Sequence, residues 1–484
     1  MSRHYMLVFV RKSIALFVAL LLILSFGVAR GQSRYEHWQK GRPFTIGAMF
    51  YDFHEYPEAR GTDAQISAPS GAFPDMELVR RAGLNLISDV SHSNGGHTDY
   101  PGVSSVQAGG GSFMILGAGW AGKGAPTALG SFQKHVKMFA DDPRWSGFCG
   151  VQLADEPHHK PEDPERYRPQ RDWLVETYPH LLTTFCEGLS QYGNWTHEHN
   201  VIQSDGIIFQ WYPYHTSSGD LIEIDQSMYA MLLRASEFCR DRRIGFFIAR
   251  ETTHTHKCES VYRVATYSAL AHGAKGFIDF NWDSMEKPES VQSNPDNATS
   301  YAVYIDGGEQ ATPVLDKMAR INREVANLGP ALLKLRHVRT YQMDVASRVT
   351  WAGPLYHFSD RDQLRTGGLR SLAPKDLPIG VPIHLMVGFF RDDQDQEYFM
   401  VVNKNNSRVL KVNDAHLAQG VTMTFAPSVG AIERLNRETG QVERLELAED
   451  HTYTFTLPAG TGDLFKYASS KPFVGQAPAA DKAK

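Results

Sequence analysis

The stretch Phe148-Cys-Gly-Val-Gln-Leu-Ala-Asp-Glu-Pro157 is an apolar run that ends in two adjacent carboxylates and a proline. Desolvating a charge is costly, so a carboxylate pair at the end of a buried strand calls for a function. Proline cannot continue a ladder. The strand is therefore predicted to stop there and to present Glu156 at its C-terminal lip. In a parallel α/β barrel that lip is where chemistry is done.

Working outward, seven further apolar runs flank this one, at 44–50, 84–90, 112–117, 181–185, 205–210, 244–249 and 276–280. They are nearly continuous rather than alternating, as expected of parallel strands covered on both faces. Helical spacing recurs between several of them, at 74–83, 132–139, 226–240 and 260–272. Eight strand–helix alternations over about 250 residues have the size and count of a (β/α)8 TIM barrel. A doubly wound sheet would carry a glycine-rich phosphate turn after its first strand. Here that place holds Tyr51-Asp-Phe-His-Glu-Tyr56.

A closing helix is predicted over 318–335, and from 337 the texture becomes β. Strands are expected at 382–390, 397–403, 421–425 and 451–457. A hairpin is expected over 431–447, turning at Glu438-Thr-Gly-Gln441. Short strands separated by turn signals indicate an antiparallel β-sandwich. The stretch 359–382 is charged and rich in glycine and proline, and reads as a long loop. The expected organisation is a signal peptide at 1–31, a barrel at 32–336, a sandwich at 337–470 and a disordered Pro/Ala/Lys-rich tail at 471–484.

Composition narrows the function. The 484 residues carry a net charge of -5 with no basic stripe, which argues against a nucleic-acid partner. Arg3, Arg11 and Lys12 precede the apolar stretch 13–29, and the small residues Ala29 and Gly31 precede a possible cut after Gly31. This reads as a secretory signal peptide, with a secreted or periplasmic product that has no stable membrane insertion after cleavage. An uncleaved anchor is the alternative. Of the four cysteines, Cys149 reads as a small buried hydrophobe, and the spacing leaves a bridge between Cys239 and Cys258 open. The spacings match no zinc motif.

If the barrel holds, the residues after each strand line one site. They are Tyr51, Asp52, His54 and Glu55; Asp89 and His92; Trp120; Asp155 and Glu156; Trp211, Tyr212 and Tyr214; Arg250, Glu251 and His254; and Asn281, Trp282 and Asp283. Aromatic faces stack on the C–H faces of sugar rings, and carboxylates bond hydroxyls, so the mix suits a carbohydrate substrate. Glu251, in Ile248-Ala-Arg-Glu-Thr252, ends an apolar strand as Glu156 does. Glycoside hydrolysis needs two carboxyls flanking the scissile bond, and it needs no cofactor.

The pattern resembles the clan A retaining glycoside hydrolases, barrels with a glutamate acid/base after strand four and a glutamate nucleophile after strand seven. The resemblance implies that Glu156 is the acid/base and Glu251 the nucleophile. It extends, at the level of architecture, to a C-terminal sandwich ending in Thr456-Leu-Pro-Ala-Gly-Thr-Gly-Asp-Leu-Phe465. This chain departs from the pattern at Asp155, where the clan usually has asparagine. Tyr51, Asp52, His92, Trp120, Asp155, Trp211, Tyr212, Tyr214, His254 and Trp282 are the expected substrate-binding residues. Two other readings stay open. One is a metal-dependent barrel hydrolase using His254 and His256, although no metal is expected from the ligand spacing. The other is a carbohydrate-binding barrel without catalysis.

Overall fold

The computed structural model describes residues 32–49, 75–88, 111–116, 128–157, 164–211, 226–250, 259–280, 282–284, 303–305, 309–343, 349–350, 352–358, 368–375, 384–407 and 414–476. Eight parallel strands close into a barrel in chain order. They are β1 Thr45–Met49, β2 Leu86–Ser88, β3 Ser112–Leu116, β4 Phe148–Asp155, β5 Leu182–Gly188, β6 Gly206–Trp211, β7 Gly245–Arg250 and β8 Gly276–Asp279. Side chains alternate between two dry layers. Met49, Leu86, Met114, Cys149, Leu182, Cys186, Ile208, Phe247, Ala249 and Ile278 fill the interior. Ile46, Ile87, Phe113, Val151, Phe185, Phe209, Ile248 and Phe277 pack outward under the helices. Burial on both faces is why the runs are nearly continuous in apolar residues.

A short helix absent from the sequence reading, α1 Arg34–Gln39, seals the lower end. Ser33 and Glu36 form a reciprocal capping box at its start, satisfying two otherwise orphan donors. Tyr35 and Trp38 join the interior cluster, and the Trp38 indole N–H donates to the Cys149 carbonyl at 2.8 Å. Phe247 meets Tyr35 and Trp38 edge-on, with centroids 5.8 and 6.5 Å apart. The ring fits only because Gly245 lies beneath it: a Cβ there would sit 2.4 Å from the Phe247 ring.

Helices cover the outside: α2 Met76–Arg81, α3 Leu129–Ala140, α4 Pro164–Thr177, α5 Tyr192–Ile202, α6 Gln226–Arg242, α7 Glu259–Ala271 and α8 Pro313–Lys334. The last begins earlier than expected. Thr312 caps it, its hydroxyl accepting from the Val314 N–H at 3.2 Å, and Pro313 suits the first turn. Among the described residues no helix is long and apolar enough to cross a membrane.

The C-terminal part is built from β9 Arg336–Gln342, β10 Tyr356–His357, β11 Leu369–Lys375, β12 Leu385–Arg391, β13 Glu397–Asn403, β14 Gln419–Phe425, β15 Ala431–Leu435, β16 Val442–Glu446, β17 Thr452–Leu457 and β18 Gly462–Tyr467. One sheet runs β10-β9-β12-β13-β18-β15-β16 and the other β11-β14-β17. Pairing is antiparallel except between β9 and β10. A shared core containing Leu372, Val387, Phe399, Val421, Met423, Phe455 and Phe465 makes the two sheets a sandwich.

The sandwich is seated on the barrel's helices. Gly388 of β12 lies so close to α7 that a Cβ would fall 2.0 Å from the Ala271 carbonyl oxygen. Glu324 of α8 accepts from Arg263 at 2.6 Å and from the Tyr267 hydroxyl at 2.5 Å, and it faces Arg437 of the sandwich at 3.5 Å. Buried His337 bridges Ser236 through Nδ1 and Thr340 through Nε2, both at 2.9 Å. Thr340 donates onward to the Ala271 carbonyl, so it accepts from His337, which fixes the proton on Nε2.

Two expectations are corrected and one open possibility is closed. The stretch 359–382 contains the strand β11, whose Leu369 and Leu372 are buried in the sandwich core. The tail begins packed rather than disordered: Phe473 is buried against Tyr398, with ring centroids 5.2 Å apart. Cys239 is a buried free thiol, so it forms no bridge to Cys258.

Candidate active site at the mouth of the barrel

The carboxylate pair sits where β4 ends. Alternation along this strand is broken by a bulge between Gln152 and Ala154. Leu153 and Ala154 both belong to the outer layer, and Asp155 then registers with Cys186, an interior residue. The extra residue re-aims the strand end and turns Asp155 into the mouth. Glu156 follows with φ at 44°, a left-handed conformation that disfavours a side chain. Its N–H is held by the Cys186 carbonyl at 2.9 Å. Pro157 is buried and ends the run. The bulge, the turn and the proline together put both half-buried carboxylates at the C-terminal lip.

Beneath the lip the interior is polar. Thr184 lies between Leu182 and Cys186 on the inward face of β5 and registers with Gln152. Ser88 registers with Met49. Ser88 Oγ, Gln152 Oε1 and Thr184 Oγ1 are buried with no hydrogen-bond partner among the described residues. Burial pushes the Cys186 thiol well up, and the charge of Asp155 adds to the effect. It is a neutral wall residue rather than a nucleophile. This polar layer was missed in the sequence, although Gln152 and Thr184 interrupt apolar runs at alternate positions.

On the outside of the same rim, Arg250 and Asp279 end β7 and β8. The guanidinium binds both carboxylate oxygens at 2.6 and 2.9 Å, and also Thr266 and Asn322, each at 2.9 Å. Tyr262 donates to Asp279 at 2.5 Å. Burial raises the Asp279 carboxyl, with Arg250 opposing it. Arg250 therefore faces away from the mouth and braces the strand end that leads into Glu251.

Two expected sugar platforms are corrected. Trp211 ends β6 in step with Ile207 and Phe209, so it points outward into the helix layer with no exposed surface. Trp282 is also fully buried in that layer, its backbone N–H donating to the Met49 carbonyl at 2.8 Å. A ring with no exposed face has nothing to offer a ligand. Of the predicted site residues, the described structure brings Asp155 and Glu156 to the mouth. Tyr51, Asp52, His92, Trp120, Tyr212, Tyr214, Glu251 and His254 lie outside the described residues, as do His54, Glu55, Asp89, Asn281 and His256.

No known family profile matches the chain, and no curated protein matches it. Solved structures similar to it include an α-L-arabinofuranosidase from Thermotoga maritima, at 12% identity and a TM-score of 0.44, covering 88% of this chain and 97% of that one. An endo-β-1,4-mannanase from Thermotoga petrophila matches at 10% identity and 0.42, covering 86% and 98%. An α-amylase from Anoxybacillus matches at 9% identity and 0.47, covering 90% and 99%. Likeness at this level says nothing about activity.

Proposed function

We propose that this protein is a glycoside hydrolase acting on an oligo- or polysaccharide by a retaining double displacement. The observation that carries the reading is the Asp155–Glu156 pair, turned to the mouth of a closed parallel barrel by a bulge and a left-handed residue. Strained backbone held in place by its surroundings clusters at functional sites. Glu156 protonates the departing glycosidic oxygen and later deprotonates the incoming water. Glu251, following β7, attacks the anomeric carbon. Asp155 accepts a hydrogen bond from a sugar hydroxyl. Ser88, Gln152 and Thr184 supply polar atoms at the floor that entering hydroxyls would satisfy. The proposed setting is outside the cytoplasm, after loss of the N-terminal apolar segment.

The test is a panel of polysaccharides and aryl glycosides with the parent protein, Glu156→Ala and Glu251→Ala. Both variants are expected to lose cleavage. Azide is expected to rescue Glu251→Ala, giving a glycosyl azide of inverted configuration. Undiminished cleavage by both variants would falsify the assignment.

A further inference from the structure

At the opposite end of the barrel from the mouth, α1, α4, α5 and α6 surround a cavity of about 390 Å³. Four arginines line it: Arg34, Arg171, Arg242 and Arg243. Two are neutralised locally. Arg34 binds Asp205 at 2.9 and 3.3 Å, and Arg243 pairs with Glu36. The other two are not. Arg171 reaches Asp172 at 3.1 Å, but that carboxylate is held at 2.7–2.8 Å by Arg168, and the Arg171 Nε is buried without a partner. Arg242 lies over the Phe238 ring, 3.6 Å from its centroid, with no acidic partner among the described residues.

His199 packs against the same Phe238 ring at 5.4 Å. It is 7% exposed, and its Nδ1 is buried with no hydrogen-bond partner. Burial, followed by the charges of Arg242 and Arg171, pushes this imidazole down to about 4. It is therefore neutral at pH 7, with one N–H to donate. A cation near the C-terminal end of α6 has a simple explanation in the helix dipole. That does not account for the orphaned imidazole nitrogen or the orphaned Arg171 Nε, which belong to two other helices.

We propose that this cavity binds a phosphate-class oxoanion, with Arg171 and Arg242 supplying charge and His199 a neutral donor. Guanidinium groups suit such anions because their N–H forks match the oxygens. The volume leaves room for an organic group, so the ligand is either the free anion or a phosphate monoester. The site lies away from the proposed catalytic carboxylates and does not depend on their assignment.

The test is calorimetric titration of the full chain with inorganic phosphate, glycerol phosphate and, as neutral control, glycerol. Saturable binding of phosphate or glycerol phosphate, with none of glycerol, is expected. Tighter binding of glycerol phosphate assigns a monoester, and equal binding assigns the free anion. Arg242→Gln and His199→Gln are each expected to weaken binding by about tenfold or more, the loss of one strong hydrogen bond. Without phosphate, Arg242→Gln is expected to melt close to the parent, since the side chain is exposed. Absence of binding up to about 10 mM, a very weak affinity, would overturn the proposal. So would unchanged affinity in both variants.

Discussion

Arg250 and Asp279 end neighbouring barrel strands and hold each other through two hydrogen bonds, with neither side chain exposed to solvent. Removing one partner of such a pair leaves a buried charge, which typically costs about 3–5 kcal/mol. Asp279→Ala is expected to destabilise the protein by that order, read as a lower denaturant midpoint. Asp279→Asn keeps the shape and is expected to fall between. A loss below about 1 kcal/mol for Asp279→Ala, the value of an exposed pair, would show that the pair braces nothing.

The left-handed backbone at Glu156 makes a second expectation. Glycine adopts this conformation freely, whereas alanine does not. Glu156→Gly is expected to be about 1 kcal/mol more stable than Glu156→Ala. Both are expected to lack hydrolytic activity. Unfolding curves for the two variants decide it, and a more stable alanine variant would mean the turn is not left-handed in solution.

Glu198 of α5 is almost fully buried, and burial together with the neighbouring charge of Glu187 raises its carboxyl to about 9. Glu187 itself accepts from the Gly188 N–H at 2.6 Å. Between the ordinary value of 4.5 and about 9, the folded chain keeps a proton that the unfolded chain releases. Stability from this group is thus present in acid and falls as pH rises, by about 1.4 kcal/mol per unit. Glu198→Gln is expected to gain stability relative to the parent between about pH 6 and about pH 8. The measurement is unfolding free energy at both values; a difference that does not grow with pH would mean that Glu198 is not protonated in the folded chain.

The histidines between barrel and sandwich act in the other direction. Burial lowers His272 to about 4 and His337 well below its ordinary value, with His272, Arg240, Lys275 and Arg339 adding to the latter. Below the ordinary value of 6.5 the unfolded chain gains protons that the folded one refuses, so stability is lost as pH falls. His272→Asn is expected to lose less stability than the parent between about pH 7 and about pH 5. Equal slopes for the two proteins would place the acid sensitivity elsewhere.

The eight barrel strands were legible because each is dry on both faces, which leaves long apolar runs. The same property hid the direction of Trp211: when both faces are apolar, nothing in the letters marks which one a residue takes. Only step with Ile207 and Phe209 decides it. The aim of Asp155 depends on a bulge that exists relative to β5 and is invisible in β4 alone. Helix α1 is too short to show a period. Strand β11 was hidden by its charges and Pro374, which edge strands tolerate. The candidate site was legible at its carboxylates and illegible at its floor, where single polar residues in apolar runs look like noise until the strands are registered.

The helix that seals the lower end of the barrel has a consequence for the order in which the chain can mature. Trp38 reaches a carbonyl 111 residues away, and Ser33 donates to the Arg243 carbonyl, 210 residues away. These partners do not exist when the first residues emerge from the ribosome or from a translocation pore. The earliest part of the folded chain must therefore wait, with two large aromatic side chains uncovered, until nearly the whole barrel has been made. A chaperone that holds the leading segment would be guarding a piece that can lock into place only once β7 has been made.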